Sequence, residues 1–202
     1  RGPDDEGTAA AGRAAVGAVR LAVIDPPGGA QPMWCPQRRH VLVWNGVITN
    51  HVELRAALEA RGETFRTTSD TEVLLRARAR DGAAALAATD GRFAGASVDT
   101  MTREVLLFRD PCGIKPLYWA DTGDALLFAS EPRALLAGGV GPVALDEVAL
   151  ADYLAFQVPL SDRTWFAGIR RVPAGGTLRL RPGAPPAPGR VADWHEAFDV
   201  PG

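Results

Sequence analysis

The chain has 202 residues, enough to bury one sizeable core. Its 22 Lys and Arg against 24 Asp and Glu leave a net charge of −2 with no basic run, which argues against nucleic-acid and anionic-membrane partners. No apolar run is long enough to span a bilayer, no signal-peptide layout occurs, and Cys35 and Cys112 are too few for a disulfide scaffold, so a reducing cytoplasm is expected.

Arg1 to Gly7 is polar, holds Gly and Pro and lacks an initiator methionine, so it reads as a loop at the start of a piece of something longer. Val16 to Ile24 is β-branched and mostly apolar, which predicts a strand ended by Asp25-Pro-Pro-Gly-Gly. Arg20 inside that run is either a snorkelling side chain at a sheet edge or an Arg aimed into a site. A loop through Cys35 and Arg39 leads to Val41–Trp44, predicted to be a buried strand. Asn45-Gly46 follows and has two readings. It is the commonest hairpin turn signal, or it is a polar side chain and a close backbone approach at a strand end, suited to holding an anion.

Asn50 with Glu53 predicts a capping box opening a helix over 51–61, with an apolar stripe at Leu54, Ala57 and Leu58 and a C-cap near Gly62. Ser69-Asp-Thr-Glu72 predicts a second capped helix to about Arg80, which places Asp70 in the first turn, where the helix dipole already favours an acid. A short helix spans Ala83 to Ala88. Phe93–Val98 and Val105–Phe108 then read as a hairpin, and Arg109 to Tyr118 as a tight loop into a strand. Ala125–Ala129 is a further strand and Pro132–Leu136 a short helix ending at Gly138-Gly139. Asp146–Phe156 reads as an amphipathic helix, Thr164–Val172 as irregular, Thr177–Arg181 as a strand, and Pro182 to Gly189 as linker. Trp194 to Gly202 reads as a path toward another domain. His40, His51 and His195 have no metal-ligand spacing, and no metal site is expected.

Five stretches, in order, resemble the glutamine amidotransferase domain of the asparagine synthetase family, the class II type with an N-terminal nucleophile. They are Arg1-Gly-Pro-Asp4, Arg20-Leu-Ala-Val-Ile-Asp25, Asn45-Gly-Val-Ile-Thr-Asn-His51, Ser69-Asp-Thr-Glu-Val73, and Arg109-Asp-Pro-Cys-Gly-Ile-Lys-Pro-Leu-Tyr118 with Phe128-Ala-Ser-Glu131. The resemblance implies an α+β fold, a four-layer αββα sandwich of two antiparallel sheets of the Ntn-hydrolase type. It implies a glutaminase domain over 1–140 and a bridge over 141–202 toward a synthetase domain.

The chemistry it implies is hydrolysis of L-glutamine to glutamate and ammonia, which feeds an ATP-dependent amidation. An N-terminal Cys attacks the side-chain amide with its own α-amino group as base. Neither Cys35 nor Cys112 carries a free α-amino group, so residues 1–202 alone are expected to be inactive. Arg20 corresponds to the residue pairing with the substrate α-carboxylate, Asn45 and Gly46 to the oxyanion hole, and Asp70 to the acceptor of the α-ammonium. Leu21, Ala22, Val23 and Ile24 correspond to the backbone lining the same pocket. No cofactor is implied in this domain; ATP and Mg would serve the synthetase domain, and no Ser-Gly-Gly-x-Asp-Ser pyrophosphate loop occurs here. A homodimer is compatible with the resemblance.

The pattern departs at Val47, where the family carries a Glu that helps to hold the substrate amine. A lost charge-assisted hydrogen bond costs about 1.5–3 kcal/mol, or roughly ten- to hundred-fold in binding. Val47 therefore supports a second reading, a non-catalytic scaffold of the same fold in a β-lactam or peptide macrolactam synthetase-like protein. Arg20, Asn45, Gly46 and Asp70 support the first.

Overall fold

The computed structural model describes Gly2, residues 4–141 and residues 144–191. The chain opens with a hairpin, β1 (Asp5–Ala11) and β2 (Ala14–Arg20), paired from Asp5↔Arg20 to Ala11↔Ala14. The expected loop over Arg1 to Gly7 is thus a strand from Asp5 onward, and the turn is made at Gly12 with φ +66°, a conformation that favours glycine. β2 stops at Arg20, short of the predicted Ile24, because Asp4 Oδ2 takes the Ala22 N–H and the chain peels away with Leu21 and Val23 exposed.

A larger sheet follows. β3 (Met33–Trp34) pairs with β4 (His40–Ile48), which pairs with β5 (Gly91–Asp99), then β6 (Glu104–Arg109), β10 (Gly176–Leu180) and β11 (Ala187–Arg190), all antiparallel. Between β4 and β5 lie α1 (His51–Ala60), α2 (Asp70–Asp81) and a 3₁₀ turn over Gly82–Leu86. β7 (Tyr118–Asp121), β8 (Leu126–Ala129) and β9 (Ile169–Arg171) make a three-stranded sheet, order β8-β7-β9. α3 (Pro132–Ala137) packs on it, and α4 (Glu147–Phe156) follows.

Strand alternation divides the core in two. On one face of the six-stranded sheet, Leu42, Trp44, Ile48, Phe93, Leu106 and Phe108 pack against Leu74 and Leu75 of α2. On the other, Val41, Val43, Ala94, Ala96 and Leu107 meet Val16 of the hairpin, with Trp119 and Phe128 of the small sheet packed against them. α3 covers the small sheet's far side through Leu135 against Ala120 and Ile169. The layers therefore run helix, sheet, sheet, helix, the α+β sandwich that the sequence motifs imply. A cleft of about 230 Å³ lies between β2 (Ala15–Gly17) and β8 (Leu126–Phe128), roofed by α3. Among the described residues each of these strands has one ladder partner, β1 for β2 and β7 for β8.

Several local expectations are corrected. Asn45-Gly46 is no turn: β4 runs through it, and Gly46 is required because a Cβ there would collide with the Arg92 carbonyl and Phe93 of β5. Thr164–Val172 contains β9, and the Pro-rich linker holds β11, whose Pro188 is tolerated because β11 is an edge strand. β9, β10 and β11 hydrogen-bond into sheets begun before residue 140, so the segment proposed as a bridge shares both sheets. α4 is not amphipathic: Ala149 is its one buried residue, while Val148, Leu154 and Phe156 are exposed. Arg1, Pro3 and Trp194 to Gly202 with His195 lie outside the described residues.

Asp110 joins the layers. Fully buried, it accepts from the Phe93, Ile114 and Lys115 N–H groups, while its carbonyl takes the Gly113 and Gly175 N–H groups. Asp110→Ala would strand three donors, that of Phe93 buried and those of Ile114 and Lys115 half-buried, and a loss of about 2 kcal/mol or more is expected. A urea midpoint that reports less than about 1 kcal/mol would contradict this account of the seam.

Candidate active site

The site grows from the free edge of β4. In an antiparallel ladder successive residues direct their N–H groups to opposite sides. Residues 45, 47 and 49 face β5, as the Asn45↔Ala94 and Val47↔Arg92 pairs and the Thr49 N–H bond to the Asp90 carbonyl require. Trp44, Gly46 and Ile48 therefore aim their N–H groups outward, beyond the end of β3. Gln31 Oε1 takes the Trp44 N–H at 2.7 Å, and Asp70 Oδ2 takes the Ile48 N–H at 3.1 Å. Between them the Gly46 N–H has no acceptor among the described residues, and Gly46 is exposed. A single open backbone donor held between two satisfied ones is a ready place for a developing oxyanion.

One loop draws the other expected residues to this edge. Arg20, at the end of β2, is held by the carbonyls of Pro26, Ile24 and Asp25. Asp25 in turn accepts from the Thr68 N–H and hydroxyl and from the Gly28 N–H, which fastens the loop to the approach of α2. Asp25 titrates below its ordinary range, chiefly through the Thr68 N–H and then that of Gly28. Gly29 sits between the two elements: a Cβ there would collide with Arg20 Nη2 and crowd Ser69 Oγ. Arg20 and the N-terminus of α2 thus share one small volume, while Gln31 of the same loop reaches Trp44.

Asp70 opens α2 behind Ser69, whose Oγ caps the Thr71 N–H. Glu72 does not return to Ser69. It accepts instead from the Arg66 and Thr67 N–H groups, so the cap is single and Glu72 orders the preceding loop. Asp70 is only 5% exposed. Burial pushes its carboxyl above the ordinary carboxylate range, opposed by the Ile48 N–H and by nearby His51. His51 was assigned no role from sequence. Its Nδ1 donates to the Ile48 carbonyl at 2.9 Å, so Asp70 and His51 grip the two ends of residue 48. Only the three-residue spacing from Ile48 pointed to this.

Asn45 and Val47 lie on the inter-sheet face, in register with Ala94 and Arg92. Asn45 is exposed, and its side-chain amide has no partner among the described residues. Asn50 stands at the N-cap of α1 without capping it. Its amide donates to the Ala88 carbonyl and accepts from the Asp90 N–H, so the expected capping box is instead a clamp on the entry to β5. Of the expected lining, Ala22 and Ile24 are half-buried and Leu21 and Val23 face solvent. A separate cavity of about 540 Å³, between Arg109, Cys112 and Arg171, includes none of these residues. Among the described residues, no three His, Cys, Asp or Glu side chains are placed to hold a metal.

A family model for the glutamine amidotransferase domain matches residues 1–186. The chain is 36% identical over 182 residues to asparagine synthetase [glutamine-hydrolyzing] 1 of Bacillus subtilis (strain 168), covering 90% of this chain and 29% of that protein. It is 41% identical over 137 residues to asparagine synthetase B [glutamine-hydrolyzing] of Escherichia coli (strain K12), covering 67% of this chain and 24% of that one. The chain thus spans under a third of the length of these relatives. Among solved structures, the glutamine phosphoribosylpyrophosphate amidotransferase of B. subtilis, complexed with ADP and GMP, superposes with a TM-score of 0.60 at 26% identity, over 88% of this chain and 35% of that one.

The buried acid gives a pH-dependent expectation. The folded state holds the Asp70 proton to higher pH than the unfolded chain, whose ordinary value is 3.8. Stability therefore falls as pH rises from the unfolded to the folded pKa, and the penalty is full above it. Asp70→Asn keeps an oxygen for the Ile48 N–H and removes the charge. Its melting temperature should exceed the parent's at pH 7, and the margin should shrink toward about pH 4. A margin that widens on acidification would refute this.

Proposed function

Because the chain belongs to the glutamine amidotransferase domain family, we propose that it is the glutaminase domain of an asparagine synthetase-like enzyme. It hydrolyses L-glutamine and passes ammonia to an ATP-dependent amidation on a separate synthetase domain. The observation that carries this reading is the loop over 25–32, which draws Arg20 and the start of α2 to the free edge of β4, where the Gly46 N–H is open.

In this reading Arg20 pairs with the α-carboxylate, its fork oriented by the three loop carbonyls. Asp70 receives the α-ammonium. A partner cation inside a shielded site offsets the burial cost that the carboxylate bears alone. The tetrahedral intermediate places its oxyanion between the Gly46 N–H and the Asn45 amide. The attacking thiolate belongs to an N-terminal Cys outside residues 1–202, its proton taken by the α-amino group, which titrates at about 7.7–8.0. This half-reaction needs no metal or cofactor, and ATP with Mg serves the synthetase domain.

The test uses the full-length protein with glutamine, reading ammonia. Asn45→Ala should lower kcat by roughly 10²–10³ with little change in KM. Arg20→Lys should chiefly raise KM, because a point charge cannot reproduce the two-pronged pairing. Residues 1–202 alone should release no ammonia above a buffer blank. Wild-type kinetics from both variants would end the reading.

Val47 favours the scaffold reading, since it offers the substrate amine no acceptor. Val47→Glu separates the two. In an active amidotransferase it should improve the KM for glutamine by about ten- to hundred-fold; in a scaffold it should leave glutamine untouched. Arg92, in register opposite, would neighbour the new carboxylate in either case, so kinetics and not stability decides.

A further inference from the structure

Far from the β4 edge, the last turn of α2 carries a cation without enough acceptors. Arg78 lies between α2 and the six-stranded sheet, where Nη2 donates to Ser97 Oγ at 2.9 Å. Its Nε and Nη1 are buried and have no hydrogen-bond partner among the described residues. A guanidinium offers five N–H donors, and a buried donor left unmatched calls for water or an ion.

The surrounding carboxylates are already committed. Register places Ser97, Leu106 and Arg179 in one row across β5, β6 and β10, with His40, Asp99 and Glu104 in the next. Glu104 is shared by Arg179 at 3.3 Å and Arg181 at 2.8 Å. Asp99 is held by the Arg39 fork and by the Met101 and Thr102 N–H groups. Burial holds His40 below its ordinary range, opposed by Asp99 and helped by Arg39 and Arg78, so it stays neutral at pH 7. Four arginines (39, 78, 179 and 181) thus face two carboxylates (99 and 104), an excess of two positive charges.

We propose that this end of the sheet binds a small tetrahedral oxyanion, inorganic phosphate or the phosphoryl group of a monoester, with Arg78 as its buried contact and Arg179 at its mouth. Water could fill the open donors but would leave the charge excess. An oxyanion answers both, and its geometry suits the forked donors. Arg179 and Arg181 keep about half of their side-chain surface in solvent, which gives an entry. The surroundings already disfavour the bare cation: burial, then Arg179, pull the Arg78 pKa down to about 10, against Glu104.

Melting curves of the full-length protein test this, with sodium phosphate titrated against sodium chloride at equal ionic strength. The parent should show a saturable rise in phosphate alone. Arg179→Gln, at a half-buried position, should shift half-saturation upward by about tenfold, the loss of one charge-assisted bond. Arg78→Met should abolish the rise and melt higher than the parent in chloride, since it removes an unmatched buried charge. No saturable rise in the parent, or an equal rise in the parent and both variants, would overturn the proposal. If Arg78→Met does not fold, Arg179→Gln alone decides. Adenosine monophosphate, run in parallel, assigns the source: half-saturation below that of phosphate points to a phosphoryl group on a larger molecule, above it to the free ion.

Discussion

The buried carboxylate of Asp110 is the constraint on which this fold depends. It stands where β6 ends, and it ties the start of β5 to the loop that leads into the second sheet. A buried carboxyl group needs its lone pairs filled by donors that do not move, and backbone N–H groups meet that need at no rotamer cost. Arg109 repeats the arrangement with opposite charge, donating to the carbonyls of Gly113, Lys115 and Val172. Two adjacent residues thus fix one loop from both electrical signs. The path from the six-stranded sheet into the three-stranded one is pinned there.

That edge shows how a single strand yields three different amides. Trp44, Gly46 and Ile48 present equivalent donors, and only the loops around them make the donors unequal. A side-chain amide neutralises the first and a carboxylate the third. The middle one keeps its capacity because glycine lets β5 approach closely and puts no side chain over the opening. Asp70 is similarly divided between roles. Its bond to Ile48 fixes its position, and its burial makes the free protein carry a charge it would rather lose.

The elements with strong periodicity or capping were legible from the residues. Ser69 ahead of Val73-Leu74-Leu75 predicts α2, and the alternation of Phe93 to Phe108 predicts the β5–β6 hairpin. β1 was hidden because Asp, Glu, Gly and Ala carry little strand preference and Thr8 stands alone among them; it forms by pairing with β2. β11 was hidden behind three prolines, since its right to be a strand comes from lying at a sheet edge. Asn50 and Glu72 sit in the expected positions but bond elsewhere, because loops distant in sequence offered competing donors and acceptors. The candidate site residues come from the resemblance and not from any pattern in the chain. What brings them together is the loop from Asp25 to Gln31, whose irregular hydrogen bonding no periodicity encodes.

The cleft between β2 and β8 has a consequence for the domain's behaviour in solution. The second layer is two pieces, a hairpin and a three-stranded sheet, that touch through apolar side chains and share no ladder. Each piece ends there in a row of backbone groups that no strand in these residues covers. Packing resists separation of the pieces but gives little resistance to shear along the strand axis, because dispersion contacts are non-directional whereas ladder bonds fix register. The unmatched edges are also templates for pairing with any extended chain nearby. In these residues that cleft, on the side opposite α2 and beneath α3, is where two unpaired strand edges meet apolar walls, and an added strand would seat there.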